Sequence, residues 1–254
     1  MRNYPGQMTI ENDLYYYEKI LKDDFFSVNV LYRSSNEGGK KYVLKLSDFR
    51  FIFGWLFFPF AVYMSRREYK IYSMVKDIQG IPKLGPKYGL RGYFHEFIEG
   101  RTLHELASHK EFLLPDDFFA RLKAIVDEIH RRRIFYMDLN KHGNIIISDD
   151  GSPYLIDFQI SLYLGRRNFL CDRLFNFFIR EDIYHIYKHK KRFRPDLMTE
   201  EEKELARRTK LGKGFNLFFG RPYRKVKRLI YPAGSNEIIW YKWKKMKDKS
   251  KRMS

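Results

Sequence analysis

Residues 129–161 read IHRRRIFYMDLNKHGNIIISDDGSPYLIDFQIS. Asp138 is followed by Asn144 and then by an Ile-Asp-Phe triplet centred on Asp157. Residues 144–148 and 154–156 should pair across Asp149-Asp150-Gly151, because an Asp-Gly turn between two apolar runs is a strong hairpin signal. Asp149 and Asp150 are then turn residues, not metal ligands. The arrangement sets the Asp138 carboxylate where it can meet a nucleophilic hydroxyl. It sets the Asn144 amide oxygen and the Asp157 carboxylate where they can hold Mg²⁺. Phosphoryl transfer from ATP needs those parts, because its catalysis is positioning plus charge neutralisation.

A chain with that chemistry should also supply a lysine for the phosphates and an acid to hold it. Residues 41–46, KYVLKL, alternate polar and apolar after the turn Asn36-Glu37-Gly38-Gly39. They read as a strand, with Lys45 placed to pair ATP phosphates. Residues 65–75, SRREYKIYSMV, have helical spacing and carry Glu68, the expected partner of Lys45.

Over residues 14–161 the sequence resembles the protein-kinase-like superfamily. Within it the chain looks more like the atypical branch of RIO kinases and bacterial lipopolysaccharide-core sugar kinases than a eukaryotic protein kinase. Ser27-Val28-Asn29-Val30-Leu31-Tyr32 resembles the segment that opens the second strand of RIO-type kinases. Tyr93-Phe94-His95-Glu96-Phe97-Ile98-Glu99-Gly100 looks like the last small-lobe strand and the hinge.

The resemblance implies an α+β, bilobal protein-kinase-like fold. Residues 1–98 would form a small antiparallel-sheet lobe with one main helix, and residues 99–254 a mostly helical lobe. It implies ATP and Mg²⁺ as cofactors, Asp138 as catalytic base, and Asn144 and Asp157 as metal ligands. Lys45, Glu68 and Ser27 would serve the nucleotide, with the backbone of Glu96 and Ile98 at the adenine edge.

The chain departs from that pattern at identifiable places. No G-x-G-x-x-G lies near the first strand, so residues 22–27 are the candidate phosphate loop. Tyr136-Met137 stands where the family has His-Arg, and Asn144 lies six residues after Asp138 instead of five. Gly143 is the expected site of that extra residue, through backbone conformations that other residues avoid. Asp-Phe-Gly appears as Asp157-Phe158-Gln159, and no Ala-Pro-Glu follows. The missing peptide-binding signature favours a non-peptide acceptor.

Composition bounds the partners. The 254 residues suffice for a full core, and 23 Phe and 19 Tyr argue against disorder except at the ends. A single cysteine, Cys171, and no N-terminal signal-like segment make a reducing cytoplasmic location the default. The net charge of +18 suits nucleic acid, an anionic membrane surface or a polyanionic substrate. Basic runs occur at residues 188–194, 221–228 and 242–252, the last preceded by Trp240, Tyr241 and Trp243. Rings beside lysines suit a headgroup interface. Residues 51–64, FIFGWLFFPFAVYM, are uncharged, too short to span a bilayer, and expected to bend at Pro59. They are either a buried connection between the Lys45 strand and the Glu68 helix or an interfacial loop.

Later segments read as scaffold. Pro115-Asp116 begins a helix with Phe118, Phe119, Leu122, Ile125, Val126 and Ile129 on one face. His130 is a structural histidine at its end. Glu181-Asp182 and Thr199-Glu200-Glu201-Glu202 begin or flank later helices with no chemistry required. Three acceptor classes stay open: an anionic glycolipid such as a lipopolysaccharide-core sugar at the inner membrane surface, a protein serine or threonine, or none. In the last case the fold is a pseudokinase or a basic nucleic-acid-binding module.

Overall fold

In the computed structural model, which describes residues 4–23, 27–36, 39–47, 58–107, 113–165 and 168–207, β1 (Gln7–Ile10) and β2 (Asp13–Asp23) form the first hairpin. Glu11 and Asn12 join them with φ of 50° and 73°. A two-residue turn with both φ positive matches the right-handed twist of its strands, and Asn tolerates that conformation well. β2 pairs antiparallel with β3 (Ser27–Ser34), which pairs antiparallel with β4 (Lys41–Ser47). The strand expected from KYVLKL is therefore present, and Lys45 lies on it opposite Asn29.

Two compact units account for the described chain, one built from residues up to Ser65 with Pro86–Phe94, the other from Arg66–Gly85 and His95–Arg208. The chain is mixed α+β. In the first unit Ile10, Tyr15, Val28, Val30, Tyr32, Leu44 and Phe94 form one buried cluster. Alternation along the strands places them, since successive side chains point to opposite faces. Tyr32 donates to the Pro5 carbonyl at 3.1 Å, and burial pushes its hydroxyl up to about 12. With β5 (Leu84–Tyr88) and β6 (Gly92–Glu96) the sheet runs β1-β2-β3-β4-β6-β5. A Cβ on Gly92 would lie 2.6 Å from a Leu46 methyl, so this close approach requires glycine.

The Glu68 helix is longer than its periodicity suggests. α1 spans Phe58–Val75, so residues 58–64 of the apolar stretch are neither a connection nor a loop. Pro59 lies within it, as the second of its described residues. Residues 51–57 lie outside the described residues, as do 24–26 of the expected phosphate loop and the basic segments 221–228 and 242–252.

The second unit continues with β7 (Gly100–Thr102), α2 (Leu103–Leu106) and α3 (Phe118–Arg131). The face expected on α3 is buried as read, and β8 (Ile134–Phe135) follows it. β9 (Ile145–Ser148) and β10 (Pro153–Leu155) form the expected hairpin, and β7 pairs with β9. At its turn Asp150 Oδ1 accepts from the Ser152 N–H at 2.9 Å, with Gly151 at φ +80°. β11 (Leu162–Tyr163) pairs with β8, then α4 (Phe169–Phe193) and α5 (Glu200–Leu205) close the described chain. Thr199 and Glu202 make the expected reciprocal cap on α5. Glu181 and Asp182, however, sit in the interior of α4, not at its start.

Candidate functional site

The site is built on the loop between β8 and β9. Tyr136 and Met137 donate their backbone N–H groups to Asp182 Oδ2 and Oδ1, at 2.9 and 3.0 Å. His130 Nε2 stands 3.0 Å from the same Oδ2. His130 is thus the satisfied structural histidine expected of it. The fork holds Met137 at φ +64°, a conformation side chains other than glycine rarely adopt. Asp138 follows directly on this held backbone.

Asp138 is 6% exposed. Asn144 Nδ2 donates to its Oδ2 at 2.8 Å and Lys141 Nζ to the same oxygen at 2.5 Å. Among the described residues no hydrogen bond reaches Oδ1. Burial pushes the Asp138 carboxyl up, Lys141 and Asn144 pull it down, and the Asp157 charge pushes it up again. Asn144 thus bonds Asp138 directly, and the Ile156 N–H on the Asn144 carbonyl at 3.1 Å brings Asp157 to the same loop.

The extra residue between Asp138 and Asn144 is absorbed without a special glycine. Lys141 N–H returns to the Asp138 carbonyl at 3.1 Å, Asn144 N–H returns to Lys141 at 3.1 Å, and His142–Asn144 form a 3₁₀ turn. Gly143 has no positive φ, and a Cβ there would meet nothing within 4 Å. The expectation that Gly143 supplies a forbidden conformation is corrected. Asp157 is the residue in the left-handed region, at φ +68°. It is fixed from both sides: Ile156 N–H donates to the Asn144 carbonyl at 3.1 Å, and Arg67 Nη1 donates to the Gln159 carbonyl at 3.0 Å.

Phe158 ties this segment to α1. Its ring packs against Tyr72 at 5.2 Å and edge-on to Tyr136 at 5.3 Å, and the Tyr136 hydroxyl donates to the Ile156 carbonyl. Tyr72 donates to the Pro82 carbonyl at 2.8 Å. Glu68, one turn before Tyr72, is fully buried. Burial, then the charges of Glu68 and Glu96, push the Tyr72 hydroxyl well up. No protein-family model matches this chain, and no curated protein matches it.

Glu96 ends β6, with its N–H on the Lys83 carbonyl at 2.9 Å and its carbonyl 2.9 Å from His95 Nδ1. Ile98 is half-buried between β6 and β7. Lys45 and Ser27 belong to the first unit, at 3% and 1% exposure.

The candidate loop carries hard oxygen atoms, one of which, Asp157 Oδ1, accepts from the Gln159 N–H at 3.4 Å. The Asp157 carboxylate and Asn144 Oδ1, whose Nδ2 is already spent on Asp138, are the donor types Mg²⁺ takes. One carboxylate and one amide oxygen suit Mg²⁺ when phosphate oxygens and water complete its shell, as in nucleotide sites.

Sequence reading missed the supports on α4. Asp182, His185 and His189 are buried on a face that also carries Phe175 and Ile186. A polar residue recurring every three or four positions on an apolar helix face is the signal that could have found them. His189 Nε2 lies 2.5 Å from the Leu139 carbonyl, Lys188 donates to Asn140 at 3.1 Å, and the His142 ring lies 4.5 Å from that of His189. Part of the basic run 188–194 is internally committed. Lys190 pairs with Glu202 at 2.6 Å, and buried Arg194 pairs with Asp116 and Asp196 at 2.7 and 2.9 Å.

Proposed function

We propose that this chain is an ATP-dependent phosphotransferase of bilobal, protein-kinase-like architecture that moves the γ-phosphate of Mg-ATP to a hydroxyl. The observation that carries the reading is Asp138. It is a buried carboxylate on a rigidly anchored loop, engaged by Asn144 and Lys141 at one oxygen. Its Oδ1 can accept a hydrogen bond from the acceptor hydroxyl, orient it, and take its proton as transfer proceeds. Asn144 and Asp157 would hold Mg²⁺, which supplies neutralisation of phosphate charge. Lys141, 53% exposed and paired with Asp138, would meet the transferred group. Lys45, Glu68, Ser27, Glu96 and Ile98 keep the nucleotide roles the resemblance gives them.

For the acceptor we favour a sugar of the lipopolysaccharide core at the inner face of the cytoplasmic membrane. The net charge of +18 supports an anionic glycolipid over a neutral one. The second reading is transfer to protein serine or threonine. Offering purified lipopolysaccharide core and a generic protein in parallel, with radiolabelled Mg-ATP, decides between them. Label on the glycolipid supports the first reading and label on protein the second. Mg-ATP binding without transfer to either would count against the enzyme.

A further inference from the structure

α1 opens on side chains that a soluble helix usually buries. Phe58, Phe60 and Tyr63 are 41%, 47% and 59% exposed, and the Phe60 and Tyr63 rings stack at 6.4 Å. Arg91 lies over the Phe58 ring at 5.0 Å. Pro59, Tyr63, Arg66 and Lys70 follow one stripe of the helix, at successive intervals of four, three and four residues. Arg66 and Lys70 are exposed, and among the described residues neither is ion-paired. The only carboxylate of α1 is Glu68, which is fully buried. The face therefore presents aromatic rings, then cations, with no exposed acid.

We infer that this face of α1 docks on the surface of an anionic bilayer. Rings settle at the boundary between headgroups and acyl chains, while arginine and lysine meet lipid phosphates. No helix of the described residues is long and apolar enough to cross a membrane, so the contact is peripheral. The surplus of cations over the whole chain has the sign such a surface attracts. A nucleic acid would engage the cations but leaves the stacked rings without a role unless its bases are unpaired. The inference rests on the face alone and stands apart from phosphotransfer.

Cosedimentation of the full chain with phosphatidylcholine vesicles carrying about a third phosphatidylglycerol tests it, with pure phosphatidylcholine as control. Wild type should bind the anionic vesicles and not the neutral ones. The Phe60→Ala/Tyr63→Ala and Arg66→Gln/Lys70→Gln proteins should each bind about tenfold more weakly, with unchanged thermal melting. Because the basic segment 242–252 could bind vesicles by charge alone, depth needs its own readout. A Tyr63→Cys, Cys171→Ser protein carrying an environment-sensitive dye should shift to the blue on anionic vesicles. Unchanged affinity of the aromatic variant, an unshifted dye, or no binding by wild type would each overturn the inference. So would a requirement for Phe60 and Tyr63 in capturing single-stranded DNA in place of vesicles.

Discussion

Asp138 must be ionised to act as a base, yet it is buried and stands near Asp157. Both conditions hold its carboxyl above the ordinary carboxylate value, against the pull of Lys141. The acid limb of kcat/KM should therefore lie above that ordinary value, with activity lost as pH falls through it. Lys141→Met removes the opposing cation and should move the limb higher; a limb that stays put would separate Asp138 from the reaction. The same shift implies a cost in stability. A carboxyl whose folded pKa is raised binds its proton more tightly in the native state, so it destabilises the fold once pH exceeds that value. Asp138→Asn should accordingly raise the thermal midpoint at neutral pH, and a lowered midpoint would contradict the assignment. His189 has the opposite behaviour. Burial, with His142, Lys188 and Arg192 nearby, depresses it to about 4. Folding contributes nothing through it above the ordinary imidazole value. Below that value the unfolded chain takes up a proton that the native chain refuses, and about 3 kcal/mol is lost as pH falls to about 4. His189→Gln, which can still donate to Leu139, should flatten this part of the pH–stability curve measured by urea unfolding.

At the scale of elements, local pattern was legible and long-range support was not. The β9–β10 hairpin, β4, the buried face of α3 and the cap on α5 follow from an Asp-Gly turn, a period of two, a period near 3.6 and a Thr–Glu spacing. Each of these signals is complete within a dozen residues. The polar period on α4 marks Asp182 as buried but not what it serves, because the N–H groups it accepts from lie more than forty residues upstream. The Tyr72–Phe158–Tyr136 packing likewise joins three separate segments. The extent of α1 is not legible in its periodicity, because Pro59, which argues for a break, lies inside the helix. The α4 support can be weighed directly. Asp182→Ala leaves two buried N–H groups and His130 without their acceptor, at about 1–3 kcal/mol each. Denaturant unfolding should show a loss of about 3 kcal/mol or more. Asp182→Asn keeps one acceptor and should lose less. Gly143→Ala, by contrast, should change stability by less than about 0.5 kcal/mol, since its turn needs neither positive φ nor open space.

Across the whole molecule, spacing names the residues of the candidate loop but not the architecture that holds them. Asp138, Asn144 and Asp157 were named from spacing, and the structure brings them together. The anchoring of their loop comes from α4 and α1, which no spacing rule connects to residues 138–157. Charge was legible as a total but not as a distribution. Lys190 and Arg194 in the basic run are consumed by internal carboxylates, so counting lysines overstates the surface on offer. The remaining excess should still steer an anionic acceptor, and kcat/KM for it should fall as ionic strength rises.

The most direct test of the account is single-turnover transfer of label from Mg-ATP to acceptor, with Mg-ATP affinity measured on the same proteins, for wild type and Asp138→Asn. Transfer should be slowed by orders of magnitude in Asp138→Asn, with Mg-ATP affinity nearly unchanged. Equal transfer rates in the two proteins would contradict it.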